Sequence, residues 1–321
     1  MRPIAVIYEH EAWMAPVFEA LDREGAPYER VFANAQAFDP TAPAPDWSLA
    51  VNKVSPSSYL RGHAPSIAFA RQFLPFLEER GIPVVNGSDA FRLETSKALQ
   101  LLLLHRIGVR APAAHVVNDP ARIADAARGL RFPVIVKPNI GGSGALARRF
   151  DSVEAISEAA ASIDLGPDGT GLVQEYLEPA DGSIVRVEFL DGEILYAIKI
   201  WSDKTNDFNL CPADICQVPA AEIVTGAVNE LTASTAKKPM RIEAFDVPDE
   251  MADAVLRIAR EGRLDVGGVE YLVAARDGLP YVYDVNALSN FVTDAVSLVG
   301  YDPHQRFARY LISRARQEAA A

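Results

Sequence analysis

The 321-residue sequence has few cysteines, no long apolar run and no excess of basic residues. Only two cysteines are present, which argues against a disulfide-stapled extracellular domain. The run from Leu99 to Leu104 is too short to cross a bilayer, and the N-terminal residues lack the pattern of a secretory signal. The formal net charge of −12 gives no long-range attraction to nucleic acid or anionic lipid. We therefore expect a cytoplasmic protein without nucleic-acid or membrane partners.

A glycine-rich dinucleotide fingerprint is also absent after the first predicted strand, Ile4–Tyr8, which runs directly into Glu9-His10-Glu11. This absence argues against a Rossmann-type dehydrogenase. The first ninety residues alternate between predicted strands (4–8, 48–53, 82–85) and predicted helices (12–24, 67–80). Such alternation predicts a parallel sheet flanked by helices. His10 and His63 fall in loops near the open end of that sheet, where a structural or solvent role is favoured over a substrate role.

The middle of the chain contains a glycine-rich loop after an apolar strand that ends in a lysine. The strand Val134–Val136 leads into Lys137, and the loop Gly141-Gly142-Ser143-Gly144 follows. Glycines leave backbone N–H groups uncovered, so this loop can approach a phosphate. A Walker loop would enter a helix, whereas this one enters a predicted strand at 146–150. By itself the loop is more often a plain hairpin, but Lys137 is well placed as a counter-charge for phosphate.

The last part of the chain predicts antiparallel strands and a set of oxygen ligands. A hairpin is predicted from strands at 269–275 and 281–285, which contain Glu270 and Asp284. Asp284 and Asn286 share one face of their strand, and Glu270 can reach that face from the neighbouring strand. Three oxygen ligands of this kind suit a hard cation such as Mg²⁺. An exposed polar face is the alternative, but both carboxylates interrupt apolar strands, where unpaired charges are costly.

The remaining segments are helices, strands and one long loop. Helices are predicted at 95–107, 120–128, 153–162, 249–261 and 303–316, and strands at 115–117, 172–177, 184–190 and 193–200. Trp201–Pro219 lacks a clear period and is predicted to be a long loop, of the kind that is usually functional or mobile. It contains Cys211 and Cys216, for which packing as reduced cysteines is favoured over a metal or redox site, since no histidine cluster lies near them.

The order and spacing of these motifs resemble the ATP-grasp superfamily, and most closely its RimK-type carboxylate–amine (alpha-L-glutamate) ligases. D-alanine–D-alanine ligase is a more distant relative. The resemblance covers nearly the whole chain and is carried by the following segments: Glu94–Lys97 with Gly108–Pro112, Phe132–Lys137, Gly141–Gly144, Gln174–Leu177, and Glu270 with Asp284-x-Asn286. It implies an α/β protein, α+β in its C-terminal part: an ATP-grasp fold with an N-terminal pre-ATP-grasp parallel-sheet domain. The expected domains are 1–90, a central subdomain 91–177 and a C-terminal subdomain 178–321.

The resemblance also implies roles for individual residues. The residues implied to bind ATP are Lys97, Lys137, Gly141, Gly142, Ser143, Gly144, Gln174, Glu175, Tyr176, Leu177, Lys199 and Asn209. Of these, Glu175 is expected at the ribose, and Tyr176 and Leu177 at the adenine. Arg186 and Lys137 are the implied catalytic residues. Glu270, Asp284 and Asn286 are the implied ligands of Mg²⁺, with Mn²⁺ as an alternative, and the implied substrate contacts are Arg186, Ser289 and Asn290.

Two features depart from the family pattern. The metal pair reads Asp-x-Asn where many relatives have Glu-x-Asn, so a single ion or a different coordination is expected. The Cys211–Cys216 loop is not part of the general pattern, which leaves the acceptor open. The expected reaction joins a small-molecule or peptide carboxylate to an amine through an acyl phosphate, releasing ADP and phosphate. A non-catalytic ATP-binding protein and an ATP-grasp kinase are the alternatives, and relatives often form homo-oligomers.

Overall fold

A computed structural model of the chain describes residues 1–142, 144–201 and 240–318, which form three β-sheets with flanking helices. The first sheet is parallel with the order β2-β1-β3-β4. Its strands are β1 (Ile4–Tyr8), β2 (Tyr28–Phe32), β3 (Leu49–Lys53) and β4 (Val84–Val85). Helices α1 (Glu11–Arg23), α2 (Ala64–Glu79) and α3 (Ser88–Glu94) accompany them. Tyr8 and Lys53 are in register, so both lie at the carboxyl edge of this sheet.

The second sheet is antiparallel with the order β5-β8-β6-β7. Its strands are β5 (Ala114–Val117), β6 (Val134–Pro138), β7 (Arg148–Phe150) and β8 (Gly171–Glu175). Helices α4 (Lys97–Arg106), α5 (Ile123–Ala127) and α6 (Val153–Ala159) belong to the same part of the chain. The glycine loop follows β6, and Lys137 is the second-last residue of that strand, opposite Leu172 of β8.

The third sheet is also antiparallel, with the order β11-β10-β9-β12-β13. Its strands are β9 (Ser183–Leu190), β10 (Glu193–Trp201), β11 (Arg241–Ala244), β12 (Val266–Val273) and β13 (Pro280–Asn286). Helices α7 (Asp249–Glu261), α8 (Ala295–Val299) and α9 (Pro303–Glu318) complete the described residues. Every residue of the central strand β9 is buried, including its charged side chains, because a strand pairs with each of its edges and a hydrophobic cluster packs on each of its faces.

The first and third sheets share one hydrophobic core. A single cluster of buried side chains contains Val6 and Leu49 of the first sheet, Ile198 of the third, and Phe307 and Leu311 of α9. Helix α9 also packs against α1. The terminal helix therefore stabilises the N-terminal sheet, although Phe307 lies 258 positions after Leu49. The domain bounds at 90 and 177 stay a prediction.

The parallel N-terminal sheet and the antiparallel later sheets confirm the predicted fold class. The sequence prediction missed β2, α3, β11 and α8. Strand β2 lies at a sheet edge with Glu29 and Arg30 exposed, so its sequence shows no apolar alternation. No helix within the described residues is long and apolar enough to cross a membrane.

Candidate active site

Five charged side chains from five different elements come together between the second and third sheets. Lys97 is the first residue of α4, Lys137 lies on β6, Arg186 on β9, Glu270 on β12 and Asp284 on β13. Their charges act on one another: Lys97, Asp284 and Glu270 all perturb the pKa of Lys137, and Arg186 forms an ion pair with Glu270. The sequence predicted all five as site residues, and the structure brings them into one cluster.

Asn139 fixes the position of helix α4 relative to strand β6. The Lys97 backbone N–H donates to the Asn139 carbonyl at 3.2 Å, and the Ala98 N–H donates to Asn139 Oδ1 at 3.0 Å. Asn139 therefore caps the start of the helix from outside, two residues after Lys137. Its own N–H donates to the Thr170 carbonyl at 2.8 Å, which holds it on the second sheet. These bonds bring Lys97 and Lys137 to the same place.

Lys97 forms a short ion pair with Asp284, and both side chains are largely buried. Burial has the largest single effect on Lys97 and disfavours its charged form. The carboxylates of Asp284, Glu94 and Glu270 together outweigh burial and raise the pKa of Lys97. Burial likewise disfavours the charged form of Asp284, yet the ammonium groups of Lys97 and Lys137 lower its pKa. Each residue of the pair therefore keeps the other ionised.

Lys137 has no such partner among the residues that the structure describes. Burial and the nearby Lys97 ammonium lower the pKa of Lys137 to about 7, although Asp284 and Glu270 act in the opposite direction. Within the described residues its ammonium makes no ion pair or hydrogen bond. A buried amine in this state gains its charge when an anion approaches, which suits a phosphate contact.

Arg186 lies between two carboxylates in the centre of the third sheet. Its Nε donates to Glu188 Oε1 at 2.6 Å, and its Nη1 donates to Glu270 Oε1 at 2.7 Å. Burial disfavours the guanidinium charge, but Glu188 and Glu270 together raise the pKa of Arg186. Arg186 is therefore a permanent positive charge at the site.

The predicted metal ligands lie next to one another in the β12–β13 hairpin. Glu270 is directly opposite Asp284, and Asn286 is opposite Gly268, to whose carbonyl its Nδ2 donates at 3.5 Å. Burial and the Asp284 charge raise the pKa of Glu270, as expected for two carboxylates that need a shared cation. Among the described residues no group of three or more His, Cys, Asp or Glu side chains converges as a metal site would. The predicted set, two carboxylates and an amide, nevertheless fits one divalent ion completed by water and phosphate oxygens.

The glycine loop lies against the first domain. A Cβ atom at Gly142 would be 3.5 Å from the Cβ of Ser57, and one at Gly141 would be 3.6 Å from the Tyr59 hydroxyl. Gly144 has a φ of 66°, a backbone conformation that favours glycine. Ser143 lies outside the described residues. A Cβ atom at Gly141 or Gly142 would make ordinary van der Waals contact with these side chains, and the role of the loop at phosphate stays a prediction.

The predicted adenine segment is the end of strand β8. Gln174 is buried, the Tyr176 N–H donates to the Pro133 carbonyl at 2.9 Å, and Leu177 belongs to the core shared by the first and third sheets. Glu175, predicted at the ribose, accepts from Arg276 Nη1 at 2.7 Å, and its other oxygen accepts from the Arg131 N–H at 3.1 Å. A ribose contact from Glu175 would have to share or replace these bonds, and the roles of the four residues stay predictions.

Three other described residues were predicted to contact nucleotide or substrate: Lys199, Ser289 and Asn290. Lys199 on β10 donates to Asp181 Oδ2 at 2.8 Å, and the structure shows no contact between its ammonium and the cluster. Ser289 is buried, its Oγ accepting from the Phe291 N–H at 3.1 Å, and Asn290 follows it. Their substrate and nucleotide roles stay predictions. Asn209 and the Cys211–Cys216 loop lie outside the described residues.

Three buried charged residues of the site were not predicted. Lys53, at the end of β3, donates to the Ser289 carbonyl at 2.6 Å, and burial lowers its pKa to about 8. Glu94 accepts from the Ala287 N–H, and burial raises its pKa to about 7. Glu188 is the partner of Arg186 described above. The signal that singled out Lys137, a lysine at the end of an apolar strand, is equally present at Lys53.

The carboxyl edge of the first sheet contains a buried ion pair of its own. Arg61 pairs with Glu9, and its Nη1 donates to Ser57 Oγ at 3.2 Å. His63 Nδ1 lies 3.1 Å from Glu9 Oε2. His63 thus has the structural contact that the sequence favoured. Ser57 connects this group to the glycine loop above it.

Comparisons with known proteins agree with this architecture. The sequence pattern of the RimK-like ATP-grasp domain matches residues 94–210. A probable alpha-L-glutamate ligase from Teredinibacter turnerae is 33% identical over 133 residues, 40% of this chain and 42% of that protein. The matches to the first three such bacterial ligases span only 42–50% of their length.

Two solved structures extend the likeness to the whole fold. The ATP-grasp ligase PsnB, in complex with a minimal precursor, superposes with a TM-score of 0.67 at 19% identity over 98% of this chain and all of PsnB. D-alanine–D-alanine ligase from Bacillus anthracis, in complex with ATP, gives 0.66 at 15% identity over 99% of this chain and 98% of that enzyme. The chain therefore has the ATP-grasp fold, and its residues 94–210 match the sequence pattern of the RimK-like ATP-grasp domain.

Proposed function

We propose that the chain is an ATP-dependent carboxylate–amine ligase, which joins an acid to an amine through an acyl phosphate and releases ADP and phosphate. The observation that carries the proposal is the charged cluster of Lys97, Lys137, Arg186, Glu270 and Asp284. Five elements spread over nearly 190 residues contribute one side chain each, and the result is three cations facing two carboxylates. This is the charge pattern that a triphosphate with a divalent ion requires.

Binding of nucleotide and metal would exchange partners within the cluster. In the structure Lys97 neutralises Asp284 and Arg186 neutralises Glu270. Mg²⁺, or Mn²⁺, held by Glu270, Asp284 and Asn286 would supply the positive charge for both carboxylates and for phosphate oxygens. Lys97 would then be free to bind phosphate, since its carboxylate partner would be shared with the ion.

The chemistry explains why a carboxylate must be activated. A free carboxylate is a poor acylating agent, so its attack on the γ-phosphate creates an acyl phosphate, from which phosphate can leave when the amine attacks the acyl carbon. The protein would align the reactants and stabilise developing negative charge through Lys137 and Arg186. The glycine loop at 141–144, placed over the phosphates, would exclude water that otherwise hydrolyses the acyl phosphate.

The relatives suggest the first substrates to test. Several are named probable alpha-L-glutamate ligases, which supports L-glutamate as the amine. PsnB has been solved with a precursor peptide, which supports a peptide as one source of the carboxylate, beside small acids. Lys53 donates a hydrogen bond to the carbonyl of Ser289, a predicted substrate contact, so the first domain is expected to contribute to substrate choice.

Product analysis tests the proposal against its two alternatives. The purified chain is incubated with ATP, Mg²⁺, L-glutamate and a panel of peptide and small carboxylates, and ADP, phosphate and coupled products are measured by enzyme assay and mass spectrometry. A ligase releases ADP and forms an amide in equal amounts. An ATP-grasp kinase releases ADP and leaves a phosphorylated acid, whereas a non-catalytic binder releases neither.

Variants connect the activity to the cluster. Lys137→Met is expected to abolish amide formation, because this amine is bonded to no other described residue and is therefore available to a phosphate. Arg30→Met is the matched control, since Arg30 lies on β2 of the first sheet and forms an exposed ion pair with Glu11, outside the cluster. Amide formation that survives in Lys137→Met at the wild-type rate would contradict the assignment of this site.

A further inference from the structure

Arg186 is held by two carboxylates that differ in their proposed roles. Glu270 accepts from Nη1 at 2.7 Å and is one of the proposed metal ligands. Glu188 accepts from Nε at 2.6 Å and lies two residues from Arg186 on β9, so both project from the same face of the strand. Glu188 is completely buried. Its bond to Arg186 does not depend on whether Glu270 is also bound to a metal ion.

The carboxylate of Glu188 forms its hydrogen bond and ion pair with Arg186. Its second oxygen, Oε2, is buried and makes no hydrogen bond with the described residues. An ionised carboxylate in such a place is stable only beside a cation, and the guanidinium is the cation in hydrogen-bond contact with it. Glu188 thus supplies charge and direction to Arg186 and has no other bonded partner in the part of the chain that is described.

Gly268 leaves the space in which the guanidinium lies. In the β9–β12 register Gly268 is opposite Glu188, and Glu270 is opposite Arg186. A Cβ atom at position 268 would be 2.8 Å from Arg186 Nη2 and 2.9 Å from Glu188 Oε1. Flexible side chains can often move away from such a contact. Here the guanidinium is tied at two of its nitrogens, so moving it would break at least one charge-assisted hydrogen bond.

From this geometry we infer that Glu188 and Gly268 are positioning residues for Arg186. Glu188 holds the guanidinium from one strand, and the missing side chain of Gly268 lets it lie across the next strand. Together they keep the Arg186 guanidinium directed at the site when Glu270 also coordinates the metal ion. The inference rests on the proposed function, in which Arg186 stabilises charge on the reacting groups.

Kinetics of single variants test the positioning role. Glu188→Ala and Gly268→Ala are each expected to lower the kcat for ADP release by roughly ten- to a hundredfold, the value of one charge-assisted hydrogen bond. The KM for ATP should change by less than about threefold, because the interaction is realised in the transition state. Glu188→Gln keeps an acceptor for Nε and is expected to recover part of the loss. Glu193→Gln, on an exposed residue of β10, is the matched control and should keep the wild-type kcat.

A double-variant cycle separates positioning from general damage to the fold. If Glu188 acts through Arg186, adding Glu188→Ala to Arg186→Met lowers kcat no further. Independent effects that multiply would overturn the inference. So would a Glu188→Ala protein that unfolds at the wild-type temperature and retains the wild-type kcat.

A crystal structure of Gly268→Ala gives a test that needs no turnover. The inference requires the guanidinium to leave its place between Glu188 and Glu270, whereas an unchanged Arg186 in that variant would overturn it. If the wild-type protein shows no ATP turnover with any acid and amine, the proposed function fails, and this structure still decides the geometry. If the Glu188→Ala protein does not fold, Glu188→Gln and Gly268→Ala test the same contact from its two sides.

Discussion

The lowered pKa of Lys137 predicts that ATP binding takes up a proton. Burial and Lys97 bring this pKa to about 7, below the ordinary 10.5 of lysine. In the free protein the amine is then roughly nine-tenths charged at pH 6 and roughly one-tenth charged at pH 8. A bound triphosphate favours the ammonium form and raises the pKa again. Binding should therefore take up about 0.1 proton at pH 6 and about 0.9 proton at pH 8.

The same linkage sets the pH dependence of affinity. Because only the charged form binds phosphate well, the Kd for nucleotide should weaken roughly tenfold from pH 6 to pH 8. The direction follows from the sign of the shift: a lysine whose pKa is lowered in the free state must gain a proton on binding, and this becomes harder as the pH rises. A surface lysine would be charged throughout this range and would give no such dependence.

Isothermal titration calorimetry measures the proton uptake directly. A non-hydrolysable ATP analogue is titrated with excess Mg²⁺ in buffers that differ in ionisation enthalpy, at both pH values. Lys137→Arg is the control, since arginine stays charged throughout this range, and protons taken up by the nucleotide itself are common to both proteins. Equal proton uptake by the wild type and Lys137→Arg at pH 8 would refute the argument, either because Lys137 does not titrate or because it does not meet the nucleotide.

Two further predictions concern the metal ligands and the first domain. Asp284→Ala combined with Asn286→Ala should lower ADP release by roughly a hundredfold or more at any Mg²⁺ concentration, since two of three ligands are lost; wild-type turnover in a coupled ADP assay would exclude the metal assignment. Arg61→Ala should lower the free energy of unfolding by about 3 kcal/mol, because it removes the guanidinium from the buried carboxylate of Glu9 and leaves that carboxylate only its contact with His63. Arg30→Ala, which breaks an exposed pair, should cost less than about 1 kcal/mol, and equal urea midpoints for the two variants would contradict this reasoning.

Much of the fold was predictable because its elements have strong periods. Strand β1 and helix α7 have the predicted bounds, and the β12–β13 hairpin forms around the predicted turn. Strand β2 was missed because an edge strand with exposed charges lacks the alternation on which prediction depends. The register shift between Glu270 and Tyr271 also has no sequence signal. Such details depend on packing between elements that are distant in the chain.

The members of the site were predictable, but their contacts were not. Motif order identified Lys97 and Asp284, yet nothing in the sequence shows that they form an ion pair across 187 positions. Glu188 had a readable signal, since it alternates with Arg186 within an apolar strand. A buried carboxylate two residues from a buried arginine indicates a pair on one face. Lys53 had the signal of a lysine at the end of an apolar strand, but its partner, the backbone carbonyl of Ser289, could be found only from the tertiary structure.

The core shared by the first sheet and helix α9 has a consequence for how the protein is made. Phe307 and Leu311 complete the packing of strands β1 and β3, and Glu24 at the end of α1 accepts a hydrogen bond from Arg309. On the ribosome the first ninety residues emerge long before these partners exist. Until α9 is synthesised, that sheet leaves apolar surface uncovered. The first sheet is therefore expected to mature only after α9 is made, by which time every residue of the charged cluster has already been synthesised.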